Sequence, residues 1–336
     1  MSLSDILTGL CGASGPAGAE GSAARLAMEL LGDYAPVRRD TLGNVIAELG
    51  NPKSPIHVML DAHIDEIGMV VTKVDDEGFL HVDRCGMPDR RTLPGAEVVV
   101  LGRKKLAGII ACMPPHLATD HKSVPDFDRI RIDIACSPER AKELVPPGSR
   151  VLIRAKTVNL LGSHVAGKAL DNRSGAAAAI RCVELLDKGE KLDCRLSVAL
   201  SVREEVGGQG ASCAAFDLAP THALVIDAGF ALQPGAPADK CGAMGKGPMI
   251  CASPVLDSGM TLALHELADK HSIPWQHDIC GGRTGTNADT IAVSHGGVRC
   301  ALVSVPVRNM HTPAEVCHLD DIENTAALLA HYIRSL

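Results

Sequence analysis

Aromatic side chains are almost missing from this chain: one Trp, two Tyr and four Phe in 336 residues. Single-stranded nucleic acids and glycans are gripped by stacked rings, so little is available here to build such a platform. An excess of positive charge is missing too. Asp and Glu outnumber Lys and Arg by 40 to 33, the net charge is -7, and no basic cluster overrides it, which argues against a nucleic-acid surface. No window approaches the ~18 apolar residues of a membrane-spanning helix. The amino-terminal MSLSDILTGLCGASGPAG has neither a basic start nor a sustained apolar core, so it does not read as a signal peptide. No GxGxxG fingerprint follows a predicted strand, which removes support for a dinucleotide site. The twelve cysteines form no C-x-x-C pair; scattered from Cys11 to Cys317, they read as reduced, small, buried residues. These absences together predict a cytoplasmic protein that engages neither nucleic acid nor membrane. Its length suits a large domain with a smaller one.

What is present is organised around LSVALSVREEVGGQG, Leu196 to Gly210. Leu196 to Val202 has the length and β-branched content of a buried strand, and in open α/β sheets chemistry is placed beyond the strands' carboxyl ends. Glu204 and Glu205 stand at that exit, followed by glycines and a small-residue segment that opens a helix. Adjacent side chains on an extended backbone point to opposite sides, so one is expected on a metal and the other facing a substrate. A solvated strand end explains Glu-Glu alone equally well.

The same pattern recurs along the chain. Ile56 to Leu60 is a short buried strand that delivers His63 and Asp65. Two apart on an extended segment, they face one way, as a ligating imidazole and its orienting carboxylate would. A surface turn is the plainer explanation of H-x-D by itself. His222 to Ile226 is another buried run, ending in Asp227, and the last strand, Val298 to Val305, leads to RNMHTPAEV with His311. Asp171 precedes a predicted amphipathic helix, Ser174 to Leu186, where it is either a cap or a metal ligand. Further helices are expected at Ala19 to Leu31, Met260 to His271 and His318 to Ser335.

From about Val70 to Asn159 short β-rich runs are broken by Gly and Pro, with one helix at Ser137 to Leu144; this reads as an all-β insertion. RIRIDI alternates strictly, as a half-buried strand of a small barrel must. CMPPHLATDHKSVPD is a long loop and candidate lid that carries His116 and His121, for which simple exposure is the plainer reading.

His63, Glu205, Asp227 and His311 thus all follow buried strands, and Asp171 opens a helix on the same layer. Five such residues on one rim can hold two divalent cations if one carboxylate bridges. Imidazole and carboxylate without thiolate suit zinc, cobalt or manganese in a catalytic site with a position left for water. Such a pair, ~3.5 to 4 Å apart, acidifies the water and polarises a carbonyl. Glu204 is then available to pass a proton to a leaving amine.

DAHIDEIGMVV, KALDNRSG, REEVGGQGA, VIDAG, MGKGPMI, GRTGTNADT and VRNMHTPAEVCHLDDI, in this order over nearly the whole chain, resemble the tetrahedral aminopeptidases. That co-catalytic zinc exopeptidase family includes glutamyl, lysyl and deblocking aminopeptidases. The resemblance implies that His63 and Asp227 each serve one metal, that Asp171 bridges both, and that Glu205 and His311 complete the pair. Glu204 would be the general base and Asp65 would orient His63. It implies an α/β fold: a three-layer α/β/α phosphorylase/hydrolase-like catalytic domain (1–69 and 161–336) interrupted by a small PDZ-like all-β domain (70–160) that joins dimers into a tetrahedral dodecamer. The expected reaction is removal of amino-terminal residues from peptides by water activated on two divalent metals, zinc first, then cobalt or manganese. VIDAG lacks the hydroxyl residue that often follows the ligating Asp, and HTP replaces the commoner HSP.

Three other functions compete. A deacylase of N-acyl amino acids or sugars would use the same dinuclear core. A glycan hydrolase is disfavoured by the scarcity of rings, and a non-catalytic scaffold would have no use for an unligated Glu204. Arg283, in a Gly/Thr-rich turn, either favours acidic substrate residues or pairs with a neighbouring carboxylate.

Overall fold

Buried strands whose two faces both carry apolar side chains need helices on both sides. In His57–His63, Val58, Leu60 and Ala62 enter one core and Met59 another; Leu224 and Ile226 oppose Ala223 and Val225 in the same way. The layering follows from that alternation.

The computed structural model describes residues 1–117, 124–188 and 191–336. Helices α1 (Leu3–Gly12) and α2 (Gly21–Gly32) precede β1 (Val37–Arg39), β2 (Val45–Gly50) and β3 (His57–His63). Six strands follow: β4 (Gly68–Val74), β5 (Leu80–Cys85), β6 (Glu97–Leu101), β7 (Lys105–Ile110), β8 (Arg131–Asp133) and β9 (Arg150–Ile153), with α3 (Pro138–Leu144) before the last. Then come β10 (Val158–Asn159), β11 (His164–Gly167), α4 (Leu170–Asp187), β12 (Arg195–Ser201), α5 (Gln209–Leu218) and β13 (His222–Phe230). The chain closes with β14 (Met249–Ala252), α6 (Ser258–Lys270), β15 (Gln276–Ile279), α7 (Ala288–Ile291), β16 (Arg299–Val307), β17 (Glu315–His318) and α8 (Leu319–Arg334).

Eight strands form one mixed sheet in the order β1-β2-β12-β3-β13-β16-β14-β15. Its middle four, β12, β3, β13 and β16, run parallel to one another, so their carboxyl ends open on a single edge. α1, α2, α4, α6 and α8 pack on one face, α5 and α7 on the other. In α8, Ile322, Ala326, Leu329 and Ile333 recur at helical spacing and all are buried. β4 to β9 close into a barrel, β4-β5-β8-β7-β6-β9, filled by residues two apart such as Met69 with Val71 and Val98 with Val100. β10, β11 and β17 make a separate three-stranded sheet.

Ser137 caps α3, accepting the Arg140 N–H at 3.4 Å, and within RIRIDI the buried Ile130 and Ile132 alternate with more exposed arginines. Three local expectations are corrected. The helix expected to be amphipathic from Ser174 is buried on nearly every side, because α4 lies between the sheet, α1 and α8; its run of alanines is what lets them approach. The strand leading to His311 is not the final one, since β17 follows it. The amino-terminal segment, given no structure above, forms α1, whose first turn is capped by Ser2 accepting the Asp5 N–H at 3.2 Å. His116 is exposed, and His121 lies outside the described residues. No described helix is long and apolar enough to cross a membrane.

Candidate metal centre

The four parallel strands deliver four ligand-type residues to one edge. His63 ends β3, Asp227 lies inside β13 near its carboxyl end, Glu205 follows β12, and His311 follows β16. Asp171 comes from the start of α4. Three backbones here hold a non-glycine residue in the left-handed region: Ala169 (φ 59°), Arg203 (φ 61°) and His311 itself (φ 64°). Such conformations persist only where the surroundings impose them, and they concentrate at functional sites.

Asp171 stands at the centre of the cluster. One carboxylate oxygen is 3.2 Å from His63 Nε2 and the other 3.2 Å from His311 Nε2. Asp227 Oδ1 lies 3.5 Å from His63 Nε2, and Glu205 Oε1 lies 3.7 Å from His311 Nε2. Two triads result, His63–Asp171–Asp227 and Asp171–Glu205–His311, each with its ligand atoms within 4.8 Å of one another. Glu204 belongs to neither, although its Oε2 is 3.9 Å from His63 Nε2. All six line one cavity of about 810 Å³. The expectation that Glu204 and Glu205 point to opposite sides is corrected: β12 ends at Ser201 and the two glutamates sit in a 3-10 turn, which turns both into the cavity.

The supporting groups are as specific as the cluster. Asp65 Oδ1 is 3.4 Å from His63 Nδ1, and its two oxygens accept the Glu204 N–H at 3.0 Å and the Glu205 N–H at 3.1 Å. It therefore ties the exit of β3 to the glutamate turn. Glu315, which sequence reasoning missed, accepts the Asp171 N–H at 3.1 Å and the His311 N–H at 2.7 Å from a fully buried position. The Met87 carbonyl, 3.1 Å from His311 Nδ1, can only accept, so Nδ1 carries the proton and Nε2 is left to face the cluster. Asn172 Nδ2 donates to the Ile226 carbonyl at 2.8 Å, and its Oδ1 accepts the Gly175 N–H at 3.0 Å. A methyl at Gly175 would collide with that carboxamide.

Burial and mutual repulsion strain the protonation states. Burial pushes the Glu204 carboxyl up to about 8, with Asp227, Asp171 and Asp65 adding to the rise against the opposing His63. Burial and Asp171 drive Glu205 well above the usual carboxylate range, and burial likewise raises Asp227. Burial alone would lower the His63 imidazole, but Asp171, Asp227 and Asp65 reverse this and hold it well above its ordinary value. Asp171 goes the other way: the two imidazoles outweigh burial and hold it far below. A buried excess of carboxylate requires protons or cations. Among the described residues, Glu205 Oε1 and His63 Nδ1 are moreover buried without a hydrogen-bond partner. Imidazole nitrogens and carboxylate oxygens without sulfur suit borderline divalent ions, so these residues fit a metal.

Arg283 is exposed on the cavity rim, 3.9 Å from Asp289 Oδ2, while His116 takes no part in the lining.

Residues 43–328 match the family profile described as M42 glutamyl aminopeptidase. Lysyl aminopeptidase of Pyrococcus furiosus is 31% identical over 318 residues, covering 93% of this chain and 90% of that protein. Aminopeptidase APDkam598 from Desulfurococcus kamchatkensis superposes with a TM-score of 0.92 at 30% identity, over 99% of this chain and 95% of the other. The Pyrococcus horikoshii TET1 peptidase, which can assemble into a tetrahedron or a large octahedral shell, gives 0.89 at 30% identity over 100% of both chains. With the family profile spanning most of its length and these likenesses in agreement, the chain belongs to the M42 glutamyl aminopeptidase family.

Proposed function

We propose that the cavity is the active site of a dinuclear metal aminopeptidase that removes amino-terminal residues from peptides, with Glu204 as general base. The observation that carries this is the shared carboxylate, since Asp171 belongs to both triads. Asp171 would bridge two divalent cations, zinc by expectation, with His63 and Asp227 on one side and Glu205 and His311 on the other. Bound there, such cations would polarise the scissile carbonyl and acidify a water molecule.

The chain's own side chains divide the remaining work. Glu204, left out of both triads, has its carboxylate beside the cluster and a proton affinity raised toward neutrality, so it can take a proton and return it to the leaving amine. Asp65 holds the Glu204 backbone in place, and Met87 and Glu315 fix the orientation of His311. The concentration of carboxylates favours a substrate with a free, protonated α-amine over an acylated one. Among the described residues lining the cavity, Phe230 supplies the only aromatic ring apart from histidine, which speaks against a glycan.

Residues 70–160 are further proposed as an inserted PDZ-like assembly domain and 1–69 with 161–336 as the catalytic domain, in a homododecamer. The closed barrel and the likeness to the Pyrococcus horikoshii peptidase support this; sedimentation as single subunits would refute it. Twelve free cysteines support a reducing, cytoplasmic setting. The function is tested on aminoacyl-anilides with chelator and with added zinc or cobalt. Glu204→Gln is expected to keep both metals and lose ~10²- to 10⁴-fold in turnover. A metal-loaded wild type inert on every amino-terminal substrate would refute the function, and undiminished Glu204→Gln would refute the base.

A further inference from the structure

A second group of ligand-type side chains is built on the far edge of the sheet, two of its three members in the wall of the same cavity. Cys251 of β14 and Asp278 of β15 are direct partners across the parallel pair. Cys280 follows Asp278 by two residues, and its N–H donates to the Ala252 carbonyl at 3.0 Å, which continues the ladder past the end of β15. The two-residue period of extended chain therefore puts Cys280 on the same face as Asp278, over Cys251. One carboxylate oxygen and two sulfurs come within 4.8 Å of one another. Cys251 is fully buried, Asp278 and Cys280 are half-buried and line the cavity, and neither cysteine is in a disulfide.

We propose that Cys251, Asp278 and Cys280 form a third cation site, distinct from the dinuclear one, that takes a soft divalent ion such as Zn²⁺ or Cd²⁺ with an open position toward the cavity. Two sulfurs select a softer ion than the sulfur-free cluster beside Asp171 does. Three protein ligands leave a fourth tetrahedral position for water, a small anion or a substrate group. Burial raises both thiols above their ordinary range and lifts the Asp278 carboxyl, so without metal the two cysteines stay as thiols. Binding would convert two thiols to thiolates and release their two protons to solvent, making affinity rise with pH.

Cadmium reports this site selectively, because thiolate-to-cadmium charge transfer absorbs in the ultraviolet and imidazole or carboxylate ligation does not. The full chain, reduced and freed of metal by chelation, with the exposed Cys112 and Cys213 replaced by Ala, is titrated with Cd²⁺. The band is expected to saturate at one Cd²⁺ per chain. Cys280→Ser should weaken the ion responsible by more than the ~10- to 100-fold usual for an outer-shell change, and Asp278→Asn should keep the band while lowering affinity. Absence of the band, an unchanged titration in Cys280→Ser, or a Cys251–Cys280 disulfide in the isolated protein would each overturn the proposal.

Discussion

Glu315 holds two distant backbones with one carboxylate, and its sequence context gives no sign of it. It follows His311 by four residues in a segment that reads as a loop, where a glutamate is ordinarily solvated. The ligand-type residues were easier to see because His63, Glu205, Asp227 and His311 are charged or imidazole side chains after apolar runs, and Asp171 opens a helix. The Met87 carbonyl was invisible, since a backbone acceptor has no residue signature. Glu315→Gln keeps the volume but can accept only through one oxygen, so one of the two amides loses its partner. Metal affinity is expected to fall by ~10- to 100-fold in competition against a chelator, with the circular dichroism spectrum unchanged.

A second residue acts far from the cluster. His57 is buried with Nε2 2.8 Å from Ser197 Oγ, and burial, helped by Arg195, lowers its pKa from 6.5 to about 4. A histidine depressed in the folded state binds fewer protons there than when unfolded. Its contribution to stability is therefore full above pH 6.5 and is lost as pH falls from 6.5 toward 4. Denaturant midpoints measured across that interval should fall for the wild type, and less steeply for His57→Gln.

At the level of elements, β-branched runs made the four parallel strands legible, and Ser137-Pro138 marked the start of α3. The left-handed residue at Arg203 has no such marker. It converts what looks like a continuing strand into the turn that aims both glutamates inward. The alanines of α4 were equally ambiguous, since alanine suits an exposed helix as well as a crowded one. Crowding wins where Asn172 and Gly175 meet. Gly175→Ala is expected to displace the Asn172 carboxamide, loosen the turn carrying Asp171 and cost about 1–3 kcal/mol of stability by urea unfolding.

For the whole molecule, what local pattern cannot supply is adjacency. β3 is bordered by β12 and β13, both from beyond the barrel, and the convergence of His63, Asp171, Glu205, Asp227 and His311 depends on that strand order. Periodicity gave the strands; the motif order, through family resemblance, gave their convergence. The shared position of Asp171 is tested most directly by metal content per chain, measured by elemental analysis on Cys280→Ser protein so that only the carboxylate–imidazole cluster is counted. Two divalent ions are expected in that parent, and Asp171→Ala should lose both together with aminopeptidase turnover. An Asp171→Ala protein that retains either ion at the parent's affinity would contradict a bridging carboxylate.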